Sequence, residues 1–233
     1  VVSGDLPLFG QRFAFMERGY DNNLLVVNIP NLPAFRANFQ QGAIDQHVRR
    51  RFAREVLPGL LGPGLVDPAR SVGGFGHSIG AQMAGIAAGF YGEGDPAAPG
   101  AVLLNGTGGQ LTHSVLASDL LQIEGTVGEA IFALAGLEPD PDATPAEVLG
   151  ALLGVPEAAW GNVDRDHPLA LPFQLVVDGA DPLAMAREHA VAVDVMGGEG
   201  DSKVAFEGFE WLAGAIRAGT LAPCTPSSDY DGH

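Results

Sequence analysis

The chain has 233 residues, 46% of them hydrophobic, enough to bury a full core as one domain. Its formal net charge of −16, with one lysine against eleven arginines, repels nucleic acid and anionic membrane surfaces and disfavours polyanionic substrates. A single cysteine, Cys224, excludes an internal disulfide framework and a cysteine-rich metal site, and no apolar run is long enough to cross a bilayer.

Val1 to Gly4 reads as a strand already under way, Gln11 to Arg18 as a helix, and the apolar run Leu24 to Ile29 as a strand buried on both sides. Ala43 to Leu61 has helical character and is ended by Gly62-Pro63-Gly64. Its Ile44, Val48, Phe52 and Val56 are expected on the core side, and Arg49, Arg50, Arg51 and Arg54 on a solvated face. Ser71 to Phe75 has a strand's character, and Ala81 to Phe90 reads as a helix with Ile79, Met83, Ile86 and Phe90 at helical spacing. Ala101 to Asn105 is the next strand, closed by Gly106-Thr107-Gly108-Gly109.

From Gln110 to Pro172 the rhythm breaks. Helical spacing recurs at Val115, Leu116, Leu120 and Leu121 and again from Ile131 to Leu134, followed by a Pro/Asp-rich turn from Glu138 to Pro145; together these read as a helical, lid-like insertion. Ala190 to Met196 restores a strand and Lys203 to Arg217 a helix, with Ala205, Phe209, Leu212 and Ile216 on one face. The chain stops at Asp231-Gly232-His233 without a closing element, which reads as a fragment or as a mature chain lacking its flanks. The alternation predicts an α/β fold, a mostly parallel sheet with helices on both faces. Residues 1–233 would form one domain carrying the insertion at 110–172.

Between the strand at 71–75 and its helix stands Gly76-His77-Ser78-Ile79-Gly80. A serine on so sharp a strand-to-helix turn is held in a strained conformation that lifts its hydroxyl off the sheet toward the positive end of the helix. Gly76 and Gly80 are expected where a Cβ would clash, and Ala81, Ala84 and Gly85 where the helix packs close. The competing reading is a glycine-rich turn with an idle serine.

A serine hydroxyl is a poor nucleophile at neutral pH. It needs a histidine to take its proton and a carboxylate to orient that histidine, in the chain order Ser, acid, His on such a sheet. Asp201, in Gly197-Gly198-Glu199-Gly200-Asp201 after a late strand, is the candidate acid, with a helix N-cap as its alternative role. Asp178 and Asp181 compete with it, though a turn and a cap account for them. Of the six histidines, His47, His77, His113, His167 and His189 precede Asp201 and only His233 follows it, which makes His233 the candidate base. The backbone N–H of Ile79 is one oxyanion donor; Leu6 or Leu8, in the loop Gly4 to Gly10, would supply the second, since Pro7 has no N–H.

The elbow at Ser78, the segment from Gly197 to Asp201 and the closing His233 resemble the α/β-hydrolase superfamily. Leu8-Phe9-Gly10, Phe39-Gln40-Gln41-Gly42, Val66-Asp67-Pro68-Ala69-Arg70 and Ala180-Asp181-Pro182 are similar to segments of large bacterial lipases and esterases. The family's usual oxyanion-loop His-Gly is Gly4-Asp5 here. The resemblance implies cofactor-free hydrolysis of a small or lipid-like carboxylic ester, with no metal. The motif names the nucleophile and not the leaving group, so thioester, peptide or polyester cleavage and a catalytically idle binding module stand as alternatives.

Overall fold

The computed structural model describes residues 31–62, 72–116, 170–198 and 206–219, together with Ser3, Glu147, Gly154, Asp201 and Val204. The strands expected at Val1–Gly4 and Leu24–Ile29, the helix at 11–18 and most of the insertion lie outside the described residues.

The first described element is helix α1, Leu32–Arg51, which runs through a π-helical turn, Phe52–Val56, into α2, Leu57–Leu61. It starts eleven residues before the expected Ala43. Asn31 caps it, its Oδ1 accepting from Ala34 N at 3.1 Å, and Pro33 sits in the first turn, where a missing N–H costs nothing. Gly62, at φ 87°, ends the run in a conformation glycine adopts without strain.

The buried face of α1 is Phe35, Phe39, Gly42, Ala43 and Arg50, which corrects the sequence expectation. Ile44, Val48, Phe52 and Val56 are between 40% and 57% exposed. A repeat of four drifts around a 3.6-residue helix, whereas the buried set keeps the helical period and has a small residue, Gly42, facing the Met83 side chain. Arg50 is not solvated. Its guanidinium lies over Gly74, its Nη1 donates to Tyr91 Oη at 3.2 Å, and its Cζ is 5.6 Å from the Tyr91 ring centre.

The sheet has three described strands, β1 Gly74–His77, β2 Ala101–Asn105 and β3 Ala192–Met196, parallel and in the order β1-β2-β3. Helix α3, Ile79–Ala88, follows β1; α4, Leu111–Leu116, follows β2; α5, Ala170–Val177, and α6, Pro182–Met185, precede β3; α7, Phe206–Gly219, comes last. This is an α/β architecture. β2 matches its predicted bounds, while β1 sits nearer the serine than Ser71–Phe75, its pairing with β2 running from Gly74↔Val102 to His77↔Asn105.

Register places Val102 and Leu104 on the same face as Val193 and Val195. These pack with Ala81, Ala84 and Ala88 of α3 and Leu212 and Ile216 of α7 into one core. Every residue of α3 from Ala81 to Ala88 is buried, and all but Gln82 and Gly85 are apolar. The other face carries Phe75, 65% exposed, and Met196; among the described residues no helix covers it. Nor is any described helix long and apolar enough to cross a membrane.

The stretch from Gln110 to Pro172 begins and ends in one place. Thr112 N donates to Gln174 Oε1 at 3.0 Å, and Gln110 N and Leu111 N donate to Asp181. The path between these ends lies almost wholly outside the described residues.

His189, just before β3, donates from Nε2 to Gly85 O of α3 at 2.9 Å, and burial pushes its pKa down. The folded protein therefore resists protonation there, while the unfolded chain takes up the proton near the ordinary value of about 6.5. Stability is complete above that pH and is lost as the pH falls through it toward the depressed folded pKa. A melting series from about pH 7.5 to about pH 5.5 should show Tm falling, by about 2–4 °C for each kcal/mol of linkage. His189→Gln, which keeps a donor for Gly85 O, should flatten that fall; an unchanged slope would remove His189 as its source.

Candidate active site

Ser78 stands between β1 and α3 at φ 51°, ψ −125°. With Gln110 it is one of two described non-glycine residues at positive φ. Such a conformation costs of order 1–3 kcal/mol and persists only where the surroundings impose it. Here they do. Ser78 N donates to Asn105 O of β2 at 2.9 Å, while Ser78 O accepts from Ala81 N and Gln82 N, so the residue is tied to the sheet on one side and the helix on the other. The serine is exposed, and its side chain does not cap the helix it starts.

The flanking glycines differ in role. A Cβ on Gly76 would lie 2.6 Å from both Ala81 Cα and Gly80 O, whereas one on Gly80 would meet nothing within 4 Å. The clash expected at both positions is present at Gly76 alone, because the helix folds back over β1 and leaves Gly80 on its open side. Gly85 makes a close approach, but to Pro182 and Leu104 rather than to β1.

Ile79 is the first residue of α3, so its N–H has no acceptor within the helix and is available to an anion beside Ser78. Gln46 of α1 steadies this turn, its Nε2 donating to Gly80 O at 3.1 Å. Sequence reasoning missed that residue; its place on the same helical face as Phe39 and Ala43 was the available signal.

His77↔Asn105 and Asn105↔Met196 are in register, so the three strands end level and their following loops share one edge of the sheet. Ser78 follows β1 directly. Asp201 lies five residues beyond β3, exposed, its N–H donating to Gly198 O at 3.3 Å and its Oδ1 accepting from Val204 N at 3.2 Å. These bonds close a local turn at Asp201, five residues before α7 begins at Phe206. His77 points to the face opposite α3, where Asn105 Nδ2 lies 3.3 Å from its Nδ1. His113 packs against Trp211 with the rings tilted and lies 3.8 Å from Glu207, and His47 packs, also tilted, against Tyr91. His233, Leu6, Leu8 and His167 lie outside the described residues. No cluster of three His, Cys, Asp or Glu placed to hold a metal occurs among the described residues.

The loop after β2 leaves the sheet between the ends of β1 and β3. Gly106, at φ 61°, lies beside His77 and the Ser78 N–H and donates its own N–H to Met196 O at 2.9 Å; Gly109 N donates to Gly208 O of α7 at 2.8 Å. Gly108 and Gly208 are packed backbone to backbone. The far end of this loop is fixed by Asp181, 1% exposed. Its Oδ1 accepts from Gln110 N (3.1 Å) and Leu183 N (2.9 Å), and its Oδ2 from Leu111 N (2.7 Å) and Gln174 Nε2 (2.8 Å). Burial pushes this carboxyl pKa up, with the N–H donors pulling against it. A turn and a cap, the role expected of Asp181, describe one of its four bonds.

Compared with protein-family models, curated proteins and solved structures, this chain matches none.

Proposed function

We propose that the chain is a serine hydrolase of α/β-hydrolase type that cleaves carboxylic esters. The observation that carries this is Ser78 itself: an exposed serine held at φ 51° on a strand-to-helix turn, its hydroxyl not spent on capping the helix. Strain of this kind at a solvent-facing nucleophile has no use in packing.

In this reading Ser78 Oγ attacks the ester carbonyl while His233 takes its proton. The tetrahedral oxyanion is met by the Ile79 N–H and by an amide of Leu6 or Leu8. The intermediate collapses as His233 protonates the leaving alkoxide, and water, deprotonated by the same imidazole, then releases the acid. Asp201 orients the imidazole. Strand spacing supports the pairing, since β1 and β3 stand about 9.6 Å apart across β2. The joined ends of the 110–172 stretch support reading it as an excursion over the same edge, and a cover rich in apolar residues favours hydrophobic esters.

The test is treatment of the folded protein with a fluorophosphonate, followed by peptide mapping of the adduct. Labelling at Ser78, with a rate that falls on the acid side of a histidine-like pKa of about 6.5, is the expected result. A folded chain that stays unlabelled would favour the idle binding module instead.

A further inference from the structure

We infer that Asp181 is a positioning residue for the candidate active site, holding the loop 106–110 that sets the separation between Ser78 and Asp201. This rests on the serine-hydrolase reading. The loop is pinned at three places along its length. At its start, Asn105 O holds the Ser78 N–H and Gly106 N holds Met196 O, so β2 joins the serine's turn to the end of the acid's strand. In its middle, Gly109 N holds Gly208 O on the helix that follows Asp201. At its end stands Gln110 at φ 57°, a conformation a non-glycine residue does not keep unaided.

What keeps Gln110 there is the Asp181 carboxylate, which takes the N–H groups of Gln110 and Leu111 together. Gln174 completes the clamp: its Oε1 accepts from Thr112 N, and its Nε2 donates to Asp181 Oδ2 and to Asp178 Oδ1. Three successive N–H groups at the start of α4 are therefore satisfied by side chains 62 to 71 residues away. Glycine at 106, 108 and 109 makes this loop compact and gives it little stiffness of its own. Its shape is imposed from the Asp181 end.

Asp181→Asn keeps the size of the side chain but turns one acceptor into a donor. Either Gln110 N and Leu183 N or Leu111 N and Gln174 Nε2 then lose their acceptor. Two measurements separate positioning from mere stability. The first is turnover of a p-nitrophenyl ester at a temperature well below the variant's Tm. The expected result is a fall in kcat of about tenfold to 10²-fold, as for a misplaced catalytic group, with KM unchanged and fluorophosphonate labelling of Ser78 slowed in parallel. The second is hydrogen exchange, in which amides 109–112 lose protection while those of α3 keep theirs.

A folded variant with wild-type kcat, or with amides 109–112 as protected as before, would overturn the inference. Gln174→Ala, at a half-buried site, is the second variant should Asp181→Asn fail to fold, with the same readings expected in the same direction. A wild type that neither labels nor turns over ester would sink the hydrolase reading, and with it the catalytic part of this inference, while the exchange arm would still decide whether Asp181 holds the loop.

Discussion

Ser78→Ala is expected to abolish fluorophosphonate labelling and to lower ester hydrolysis by about 10⁴-fold or more, as removal of a triad nucleophile does. Its Tm should stay near that of the wild type, because alanine bears the same penalty at φ 51° that serine does. Ser78→Gly separates the two halves of the argument. It should be equally inactive yet more stable than wild type by about 1 kcal/mol, since glycine releases strain of order 1–3 kcal/mol and gives back about 0.5–1 in chain entropy. In a domain of this size that is a rise of about 2–4 °C. Retained turnover in Ser78→Ala would move the nucleophile elsewhere; a Ser78→Gly variant that melts below Ser78→Ala would deny the strain.

The second large effect belongs to Gly76→Ala. The new methyl would sit 2.6 Å from Ala81 Cα and from Gly80 O, both backbone atoms, so no rotamer change can make room. The first turn of α3 must shift as a unit, and Ser78 shifts with it. The expected cost is about 3 kcal/mol, the upper end of overpacking, seen as a Tm drop of about 6–12 °C. A displaced nucleophile should also lower kcat by about 10²-fold. Gly80→Ala is the control: with open space at its Cβ and an ordinary helical position, it should leave activity intact and stabilise the helix by roughly 0.5–1 kcal/mol. Similar losses at both glycines would mean that the helix does not fold back over β1 as described.

Much of the elbow was legible from residues in immediate succession. A short strand, two glycines and an alanine-rich apolar run place Ser78 on a turn, and β2 was legible to the residue because an apolar run closed by Gly106 has few other readings. The start of α1 also has a local signal, Asn31 as the cap and Pro33 in the first turn. The buried face of α1 was not legible. Apolar residues at 44, 48, 52 and 56 make a more obvious stripe than the true one, which includes Arg50, buried against Gly74 and Tyr91.

Conformation set by neighbours within a turn, the strain at Ser78 and the arrest of the helix at Gly62 among them, is written in adjacent residues because backbone sterics act over that distance. Which polar groups are taken out of water is not. Asp181 is a surface-type residue in a turn-forming sequence, and only the arrival of N–H donors from residues 110 and 111, some 70 positions earlier, makes it the buried anchor of a loop. Burying a charge is unfavourable until its partners are present, and those partners are assembled by the packing of β2, α4, α5 and α6, which no local pattern specifies.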